Sequence, residues 1–211
     1  MKIYCVRHGE TAWNREGKVQ GSADIPLNEN GIALAEVTSE AMRDVPFDVI
    51  YVSPLIRAQK TAAIMKRDRE IPVITDARLQ EMGFGKYEGT SVRAAREQEE
   101  NVLHNFVCHP ERYRAQDGED FSQVIARAGS FINEVLLPAE DRYAHVMIAS
   151  HGALIRCFLR CVEERPLADF WSGIPQRNCA VTILELQGGR LRILEEGKLY
   201  YENKTESPFR L

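Results

Sequence analysis

Four side chains suited to phosphoryl chemistry each stand at or just after the end of a short apolar run: Arg7, His8, Arg57 and His151. Runs of this kind, rich in β-branched residues, are typical of buried strands. Ligands of open α/β sheets bind where the carboxyl ends of the strands meet, so we expect the four side chains to converge there. Two guanidinium groups would balance the charge of a phosphate, and an imidazole is a competent nucleophile. The pattern predicts a site for phosphoryl transfer.

Strands and helices alternate along the chain, which is the pattern of an α/β fold. Apolar runs predict strands at about residues 2–7, 48–52, 71–74, 145–149, 179–186 and 190–196. Periodic apolar positions and capping residues predict helices at about residues 28–43, 54–67, 90–100, 121–137, 153–162 and 166–171. Gly188 and Gly189 suit a hairpin turn, so one strand is expected to run antiparallel. The expected fold is a three-layer α/β/α sandwich with a mixed, mostly parallel central sheet.

The length of the chain predicts a single domain over residues 1–211, because 211 residues can bury one substantial core. Between about residues 86 and 118, proline and glycine interrupt the apolar periodicity, and we expect a small helical cap inserted there. The polar stretch 14–30 is expected to be an ordered loop. The polar tail from residue 202 onward is expected to be loose.

Composition argues against several classes of protein. A net charge of −4 and an isoelectric point near 5.8 disfavour a general nucleic-acid-binding protein. No apolar run approaches the roughly 20 residues that cross a bilayer, and the first residues enter a strand without a signal-peptide pattern. Five cysteines with no CxxC pair fit a reducing cytoplasm. Four of them are expected to be buried: Cys5, Cys157, Cys161 and Cys179.

The ordered motifs of the chain resemble the histidine phosphatase superfamily, also called the phosphoglycerate-mutase-like family. The matching blocks are Arg7-His8-Gly9-Glu10-Thr11, Asn14, Gln20-Gly21, Pro26-Leu27, Gly31, Ser53-Pro54-Leu55, Arg57-Ala58, Thr61-Ala62, Leu79, Glu81, Gly85, Glu88-Gly89, Ser150-His151-Gly152 and Arg156. A lone Arg-His-Gly tripeptide recurs by chance, whereas the ordered set over most of the chain is specific. The resemblance implies a mixed sheet flanked by helices.

The resemblance also implies roles for the first four side chains, with His8 as the nucleophile and Arg7, Arg57 and His151 as the phosphate pocket. A neutral imidazole avoids the repulsion that an anionic nucleophile meets at a dianionic ester. One ring nitrogen would attack phosphorus while a backbone carbonyl in the Gly9 turn holds the other. The pocket residues would donate hydrogen bonds to the equatorial oxygens.

A carboxyl group must protonate the leaving oxygen and later activate water. The resemblance places this acid/base at Glu81, and Glu88 is the rival, with ordering of its loop as its other role. Asn14 and Gln20 match phosphate or substrate contacts of the family, although side-chain amides that order a loop would give the same pattern. Arg156 fits a ligand contact or a salt bridge at the edge of the core.

The function implied by the resemblance is hydrolysis of small-molecule phosphate monoesters through a phosphohistidine on His8. Two alternatives stay open: a cofactor-dependent phosphoglycerate mutase, and a non-catalytic protein that binds a phosphorylated ligand. The mutases of the family are usually longer around the acid/base loop and the cap, which favours the phosphatase branch. No metal ion, cofactor, nucleic acid or membrane is expected as a partner. The oligomeric state is open, a dimer included, and the cap is expected to select the substrate.

Overall fold

Six strands form the central sheet of the computed structural model, which describes residues 1–202. They are β1 (Lys2–Arg7), β2 (Val49–Val52), β3 (Val73–Thr75), β4 (His145–Ser150), β5 (Val181–Gln187) and β6 (Arg190–Lys198). Their order across the sheet is β3-β2-β4-β1-β5-β6. β1 to β4 run parallel, whereas β5 is antiparallel to both of its neighbours. The predicted mixed, mostly parallel sheet is confirmed. The tail that was expected to be loose lies, from residue 203 onward, outside the described residues.

The α-helices within residues 1–202 are α1 (Ala12–Arg15), α2 (Glu29–Ala41), α3 (Ile56–Lys66), α4 (Val92–Glu97), α5 (His104–Cys108), α6 (Phe121–Phe131) and α7 (Gly152–Val162). None of them is long and apolar enough to cross a bilayer. The helix predicted at 121–137 is α-helical only as far as Phe131. It continues as a π-helical turn, Ile132–Leu136, and a 3₁₀ turn, Leu137–Ala139. Pro138 accounts for this, because it has no N–H to donate and its ring crowds the carbonyl one turn before it.

Several segments differ from the sequence prediction at their ends. The strand expected at 71–74 is β3 (Val73–Thr75), and the helix expected at 166–171 is only a 3₁₀ turn, Leu167–Asp169. The expected loop 14–30 begins inside α1, because Thr11 and Asn14 form a reciprocal capping box that closes a helical turn. The helix expected at 90–100 is shorter, since Ser91 caps α4 by accepting from the Ala94 N–H and the helix ends at Glu97.

Each face of the sheet buries its own apolar cluster, which gives the three predicted layers. Alternate residues of β1 belong to different clusters: Ile3 and Cys5 lie in one, Tyr4 and Val6 in the other. α6 and α7 contribute to the first cluster and α3 to the second, with α2 packed beside α3. The sandwich fixes the sheet between two cores.

Three of the four cysteines expected in the core are buried, but Cys161 is exposed. It lies near the end of α7, beyond the buried stretch 153–159 of that helix. Its apolar neighbours in sequence suggested burial, whereas its position on the helix decides its exposure.

The segment 86–118 consists of α4, α5 and short 3₁₀ turns. Phe106 ties it to the rest of the molecule, since its ring lies 4.7 Å from that of Phe84, 5.1 Å from Trp171 and 5.6 Å from Phe121. These edge and stacked contacts fix the position of α5 beside the end of the sheet where β1 and β4 terminate. That the segment works as a cap stays a prediction.

Candidate functional site

The carboxyl ends of β1 and β4 bring two histidines together. Arg7 pairs with Ser150 in the register of these parallel strands, so His8 and His151 follow at the same edge. Their ring centroids are 5.1 Å apart, and both side chains are buried. Arg57, in the first turn of α3, is buried beside them and lines the same cavity as His8. The structure thus brings the four side chains to one place.

Gly9 makes the tight turn after His8 possible. A Cβ at this position would collide with the carbonyl oxygen of Gly31 in the first turn of α2. The Gly9 N–H donates to Thr61 Oγ1 at 3.0 Å, which ties the turn to α3. Close packing of backbone on backbone therefore fixes where the His8 side chain emerges.

The His8 ring is held in one tautomer. Its Nδ1 lies 2.7 Å from the carbonyl oxygen of Gly9, which only accepts, so Nδ1 carries the proton and Nε2 does not. Burial, together with the charges of Arg57 and Arg7, holds the pKa of His8 well below its ordinary value. At neutral pH the ring is uncharged, with a lone pair on Nε2.

Three buried nitrogens beside His8 have no hydrogen-bond partner in residues 1–202: Arg7 Nε, Arg57 Nε and His151 Nδ1. A buried polar group left unpaired costs about 1–3 kcal/mol, and more when it is charged. Three such groups at one strand edge point to a ligand that accepts hydrogen bonds from all of them. Two of them belong to guanidinium groups, so the ligand is an anion.

The other nitrogens of these side chains anchor them to the protein. Arg7 Nη1 donates to the carbonyl of Gln176 at 2.7 Å. Arg57 donates to the carbonyls of Ala23 and Gly21, both at 2.7 Å. The guanidinium forks are thereby set before a ligand arrives, which is the condition for electrostatic stabilisation without reorganisation.

The positive charges that act on His8 are those of Arg57 and Arg7. Burial lowers the pKa of Arg57 to about 10 and also lowers the pKa of Arg7. A guanidinium nevertheless stays protonated in proteins. Burial and the neighbouring Arg57 hold the pKa of His151 well below its ordinary value. The pocket combines two cations with two neutral imidazoles.

Glu81 lines the same cavity as His8 and lies against the first turn of α7. Its carboxylate accepts from the N–H groups of Leu154 and Ala153, at 3.0 and 3.2 Å, and from its neighbour Met82 at 2.9 Å. The free N–H groups of a helix start suit a negative charge. The start of α7 therefore holds a carboxylate beside the phosphate pocket.

Glu88, the rival carboxyl, is used differently. Its Oε1 accepts from the N–H groups of Ser22 and Phe84, at 2.7 and 3.1 Å. These bonds join the loop after Gln20 to the loop after Glu81. The geometry gives Glu88 an ordering role and favours Glu81 as the carboxyl that faces a ligand.

A sequence model of the histidine phosphatase superfamily, branch 1, matches residues 3–198. The chain belongs to this superfamily. A Hydrogenobacter thermophilus protein provisionally named phosphoserine phosphatase 2 is 28% identical over 203 residues, which cover 96% of this chain and 95% of that protein. A Yersinia pestis protein provisionally named phosphoglycerate mutase GpmB is 30% identical over 188 residues, 89% of this chain and 86% of that protein.

Solved structures agree with this assignment. Bacillus stearothermophilus YhfR superposes with a TM-score of 0.86 at 31% identity, covering 99% of each chain. The α-ribazole phosphatase from Shigella flexneri superposes with a TM-score of 0.81 at 26% identity, covering 96% of this chain and 100% of the other. The predicted fold class is confirmed, and the protein is an enzyme of the histidine phosphatase type.

In this histidine phosphatase, Asn14 and Gln20 both line the cavity and both order the loop. Asn14 Oδ1 accepts from Asn178 Nδ2 at 3.1 Å, and Gln20 Oε1 accepts from Thr11 Oγ1 at 2.9 Å. Their carbonyl oxygens are thus used within the protein. Their side-chain NH₂ groups are left to donate hydrogen bonds to a ligand.

The Arg156 guanidinium binds backbone carbonyls of one segment. Its Nη1 donates to the carbonyls of Phe170 and Ser172, at 2.7 and 2.8 Å. Its Nη2 donates to that of Ile174 at 3.2 Å. The guanidinium also lies 5.7 Å from the centroid of the Trp171 ring. Arg156 therefore shapes the 170–174 segment, part of which forms the cavity wall.

Sequence reasoning missed the residues just before β5. The Gln176 carbonyl holds Arg7, and Asn178 Nδ2 donates to the carbonyl of His8 at 3.1 Å. The signal was the predicted hairpin: because β5 is antiparallel to β1, the residues that precede it lie at the carboxyl end of β1. A polar run there faces the site.

No group of three His, Cys, Asp or Glu side chains within residues 1–202 could hold a metal ion. The i, i+4 cysteines of α7 do not form a thiolate pair, since burial raises the pKa of Cys157 well above its ordinary value. Cys161 Sγ instead lies 3.5 Å from the carbonyl oxygen of Cys157.

Proposed function

We propose that this protein hydrolyses small-molecule phosphate monoesters through a phosphohistidine formed on His8. The observation that carries the proposal is the set of buried, unpaired donors beside a neutral His8: Arg7 Nε, Arg57 Nε and His151 Nδ1. The oxygens of a phosphoryl group supply acceptors for all three. Phosphorus would then lie within reach of the His8 lone pair.

In the first half-reaction, His8 Nε2 attacks phosphorus in line with the ester oxygen. The N–P bond forms as the P–O bond to the alcohol breaks, and Glu81, protonated beside the bound dianionic ester, gives its proton to the leaving oxygen. His8 Nδ1 keeps its proton and its hydrogen bond to the Gly9 carbonyl, which stabilises the positive charge that develops on the ring. Arg7 and Arg57 balance the charge that spreads over the equatorial oxygens.

In the second half-reaction, water attacks the phosphohistidine. Glu81, now ionised, takes a proton from the water as the O–P bond forms and the N–P bond breaks. Inorganic phosphate leaves, and His8 and Glu81 return to their starting states. One carboxyl serves both steps because it stands beside the cavity through which alcohol leaves and water enters.

The mutase alternative uses the same first half-reaction and then returns the phosphoryl group to another hydroxyl. The relative that is provisionally named a phosphoglycerate mutase keeps this alternative in view. The relative and the neighbour named as phosphatases support hydrolysis. Release of inorganic phosphate, as opposed to transfer to an added sugar acid, separates the two activities.

The cavity supports a small organic substrate. Its volume is about 600 Å³, and Phe84, Phe106 and Trp171 form part of its wall. This leaves room beside the phosphate pocket for the alcohol part of an ester. We also propose that the enzyme works in the cytoplasm and without a metal ion or cofactor, so that activity survives EDTA.

The decisive experiment traps the intermediate. After rapid mixing with p-nitrophenyl phosphate and an alkaline quench, mass spectrometry is expected to find an acid-labile phosphoryl group on His8. His8→Ala is expected to abolish turnover, while His109→Ala, which changes a histidine whose side chain is 46% exposed, keeps it. An adduct on serine or cysteine, or turnover by folded His8→Ala, would contradict the mechanism. Ligand binding with no phosphate release would support a non-catalytic protein.

A further inference from the structure

One guanidinium holds the backbone of the loop that carries Glu81. Arg127, on α6, donates from Nη1 to the carbonyls of Arg78 and Gln80, at 2.8 and 2.6 Å. Its Nη2 donates to the carbonyl of Glu81 itself at 3.1 Å. Carbonyls on and just before Glu81 are therefore fixed by a side chain that is 46 residues away in sequence.

Glu119 adds to these contacts, and we call Arg127 and Glu119 together the clamp. Its Oε1 accepts from Arg127 Nε at 2.9 Å, and its Oε2 accepts from Arg127 Nη2 at 3.0 Å. The same Oε2 accepts from the Gly83 N–H at 2.9 Å, and the Glu119 N–H donates to the Gly83 carbonyl at 2.8 Å. The pair thus grips the backbone on both sides of Glu81.

The Arg127 guanidinium donates from Nε, Nη1 and Nη2, and its acceptors are the carbonyls of one short stretch of chain and the Glu119 carboxylate. A guanidinium has five N–H donors in a rigid fork, which suits this task better than the point charge of lysine. The side chains of Arg127 and Glu119 are only 17% and 28% exposed, so solvent competes weakly for these bonds. The clamped stretch has no regular secondary structure between Gln80 and Phe84, so it lacks a backbone ladder of its own.

We propose that Arg127, paired with Glu119, is a positioning residue that sets the Glu81 carboxyl for proton transfer. The inference rests on the proposed function, in which Glu81 is the acid/base. With the backbone held on one side by Arg127, the Glu81 side chain reaches the first turn of α7 on the other. Loss of the clamp frees the loop, and proton transfer tolerates little displacement.

The test separates positioning from a general effect on folding. Arg127→Met is compared with Arg78→Met, since Arg78 pairs with Asp76 and Glu134 next to the same loop but donates to none of the carbonyls of the clamp. We expect Arg127→Met to lower kcat/KM for an alkyl phosphate by about 10- to 100-fold. For p-nitrophenyl phosphate, whose leaving group needs little proton assistance, kcat/KM should change far less. Arg78→Met should show no such difference between substrates.

A double variant sharpens the result. If Arg127 acts through Glu81, then adding Arg127→Met to Glu81→Gln should cause little further loss on the alkyl phosphate. Independent, multiplying losses would overturn the inference. Thermal unfolding of each variant records any change in stability separately.

Should Arg127→Met fail to fold, Glu119→Gln makes the same test. Each Glu119 oxygen accepts from an N–H, so an amide NH₂ in either orientation faces a donor and weakens the clamp. Equal losses on both substrates in this variant would overturn the inference. If Glu81→Gln itself shows no leaving-group dependence, it is the acid assignment in the proposed function that fails. If Glu81→Gln shows this leaving-group dependence but Arg127→Met and Glu119→Gln do not, the positioning inference alone fails.

Discussion

The proposed nucleophile, His8, and the proposed acid/base, Glu81, are held in different ways. His8 follows a strand in the middle of the sheet, and its N–H donates to the Ser150 carbonyl at 2.9 Å. That strand has a neighbouring strand on each side. Glu81 lies in an irregular loop whose carbonyls are bound by the side chain of Arg127. The first is fixed by backbone pairing, and the second by side chains from another element.

This contrast predicts which parts of the site tolerate substitutions nearby. Residues at the end of β1 are held in position because backbone hydrogen bonds to two neighbouring strands and apolar packing on both faces stabilise that strand. The loop that carries Glu81 is held mainly by side chains, those of Arg127, Glu119 and Glu88, so the loss of one of them can displace it. We therefore expect changes around His8 to affect every substrate alike, and changes around Glu81 to depend on the leaving group.

The largest substrate-dependent effect is expected from Glu81→Gln. General acid assistance is typically worth about 10²–10⁴-fold, so kcat/KM for an alkyl phosphate should fall by that order while p-nitrophenyl phosphate is affected much less. A burst of nitrophenol would reveal slower hydrolysis of the phosphohistidine, since Glu81 also activates water in the proposed mechanism. Glu88→Gln is the matched control, because Glu88 binds loop N–H groups instead. If Glu88→Gln shows the larger leaving-group effect, the two roles must be exchanged.

A smaller and uniform effect is expected from Ser53→Ala. His151 Nε2 lies 2.7 Å from Ser53 Oγ. When the hydroxyl donates to Nε2, the proton of the neutral ring is on Nδ1, where it can bind phosphate. Removing the hydroxyl frees the other tautomer, and we expect kcat/KM to fall about 10-fold on alkyl and aryl phosphates alike.

Ser39→Ala is the control for Ser53→Ala, because Ser39 is also buried and its Oγ donates to a backbone carbonyl, that of Ile64. It should leave kcat/KM unchanged. A loss confined to alkyl phosphates in Ser53→Ala would mean that His151 assists the leaving group rather than the phosphoryl oxygens.

The positions of His8 and His151 at one edge of the sheet could be predicted from the sequence, for a physical reason. Strand ends are local signals: an apolar run, then Arg7-His8-Gly9, needs no knowledge of distant contacts. Parallel pairing then brings His151 beside His8. The glycine turn at 188–189 predicts one antiparallel strand, and the structure shows that this strand is β5.

The Glu81 half could be predicted only by resemblance. Nothing near Glu81 in sequence shows that Arg127 and Glu119 would hold its loop, because these contacts depend on how α6 packs. For the same reason, the contacts of Asn178 and of the Gln176 carbonyl were not predicted. The hydrogen bonds from Arg156 to the carbonyls of Phe170, Ser172 and Ile174 were not predicted either. Contacts between a side chain and a distant backbone carbonyl leave no pattern of spacing.

The smallest predicted effect is on how the free energy of unfolding depends on pH, and it comes from His8 and His151. The pKa of His8 and that of His151 lie well below their ordinary value in the folded protein, because of burial and nearby arginines. In the unfolded chain each pKa is near ~6.5. As the pH falls below about 6.5, the unfolded chain binds protons that the folded protein does not, so stability decreases. Above that pH, this contribution to stability is fully present.

Each of the two histidines adds at most about 1.4 kcal/mol of destabilisation per pH unit below that point. Urea unfolding between about pH 8 and pH 5 should therefore show a steeper loss of stability in the wild type than in His8→Asn, which has one fewer buried imidazole. Because carboxylates titrate in both proteins, the difference between slopes isolates His8. Equal slopes in the wild type and His8→Asn would show that His8 takes up a proton in the folded state, and would remove the neutral nucleophile on which the mechanism depends.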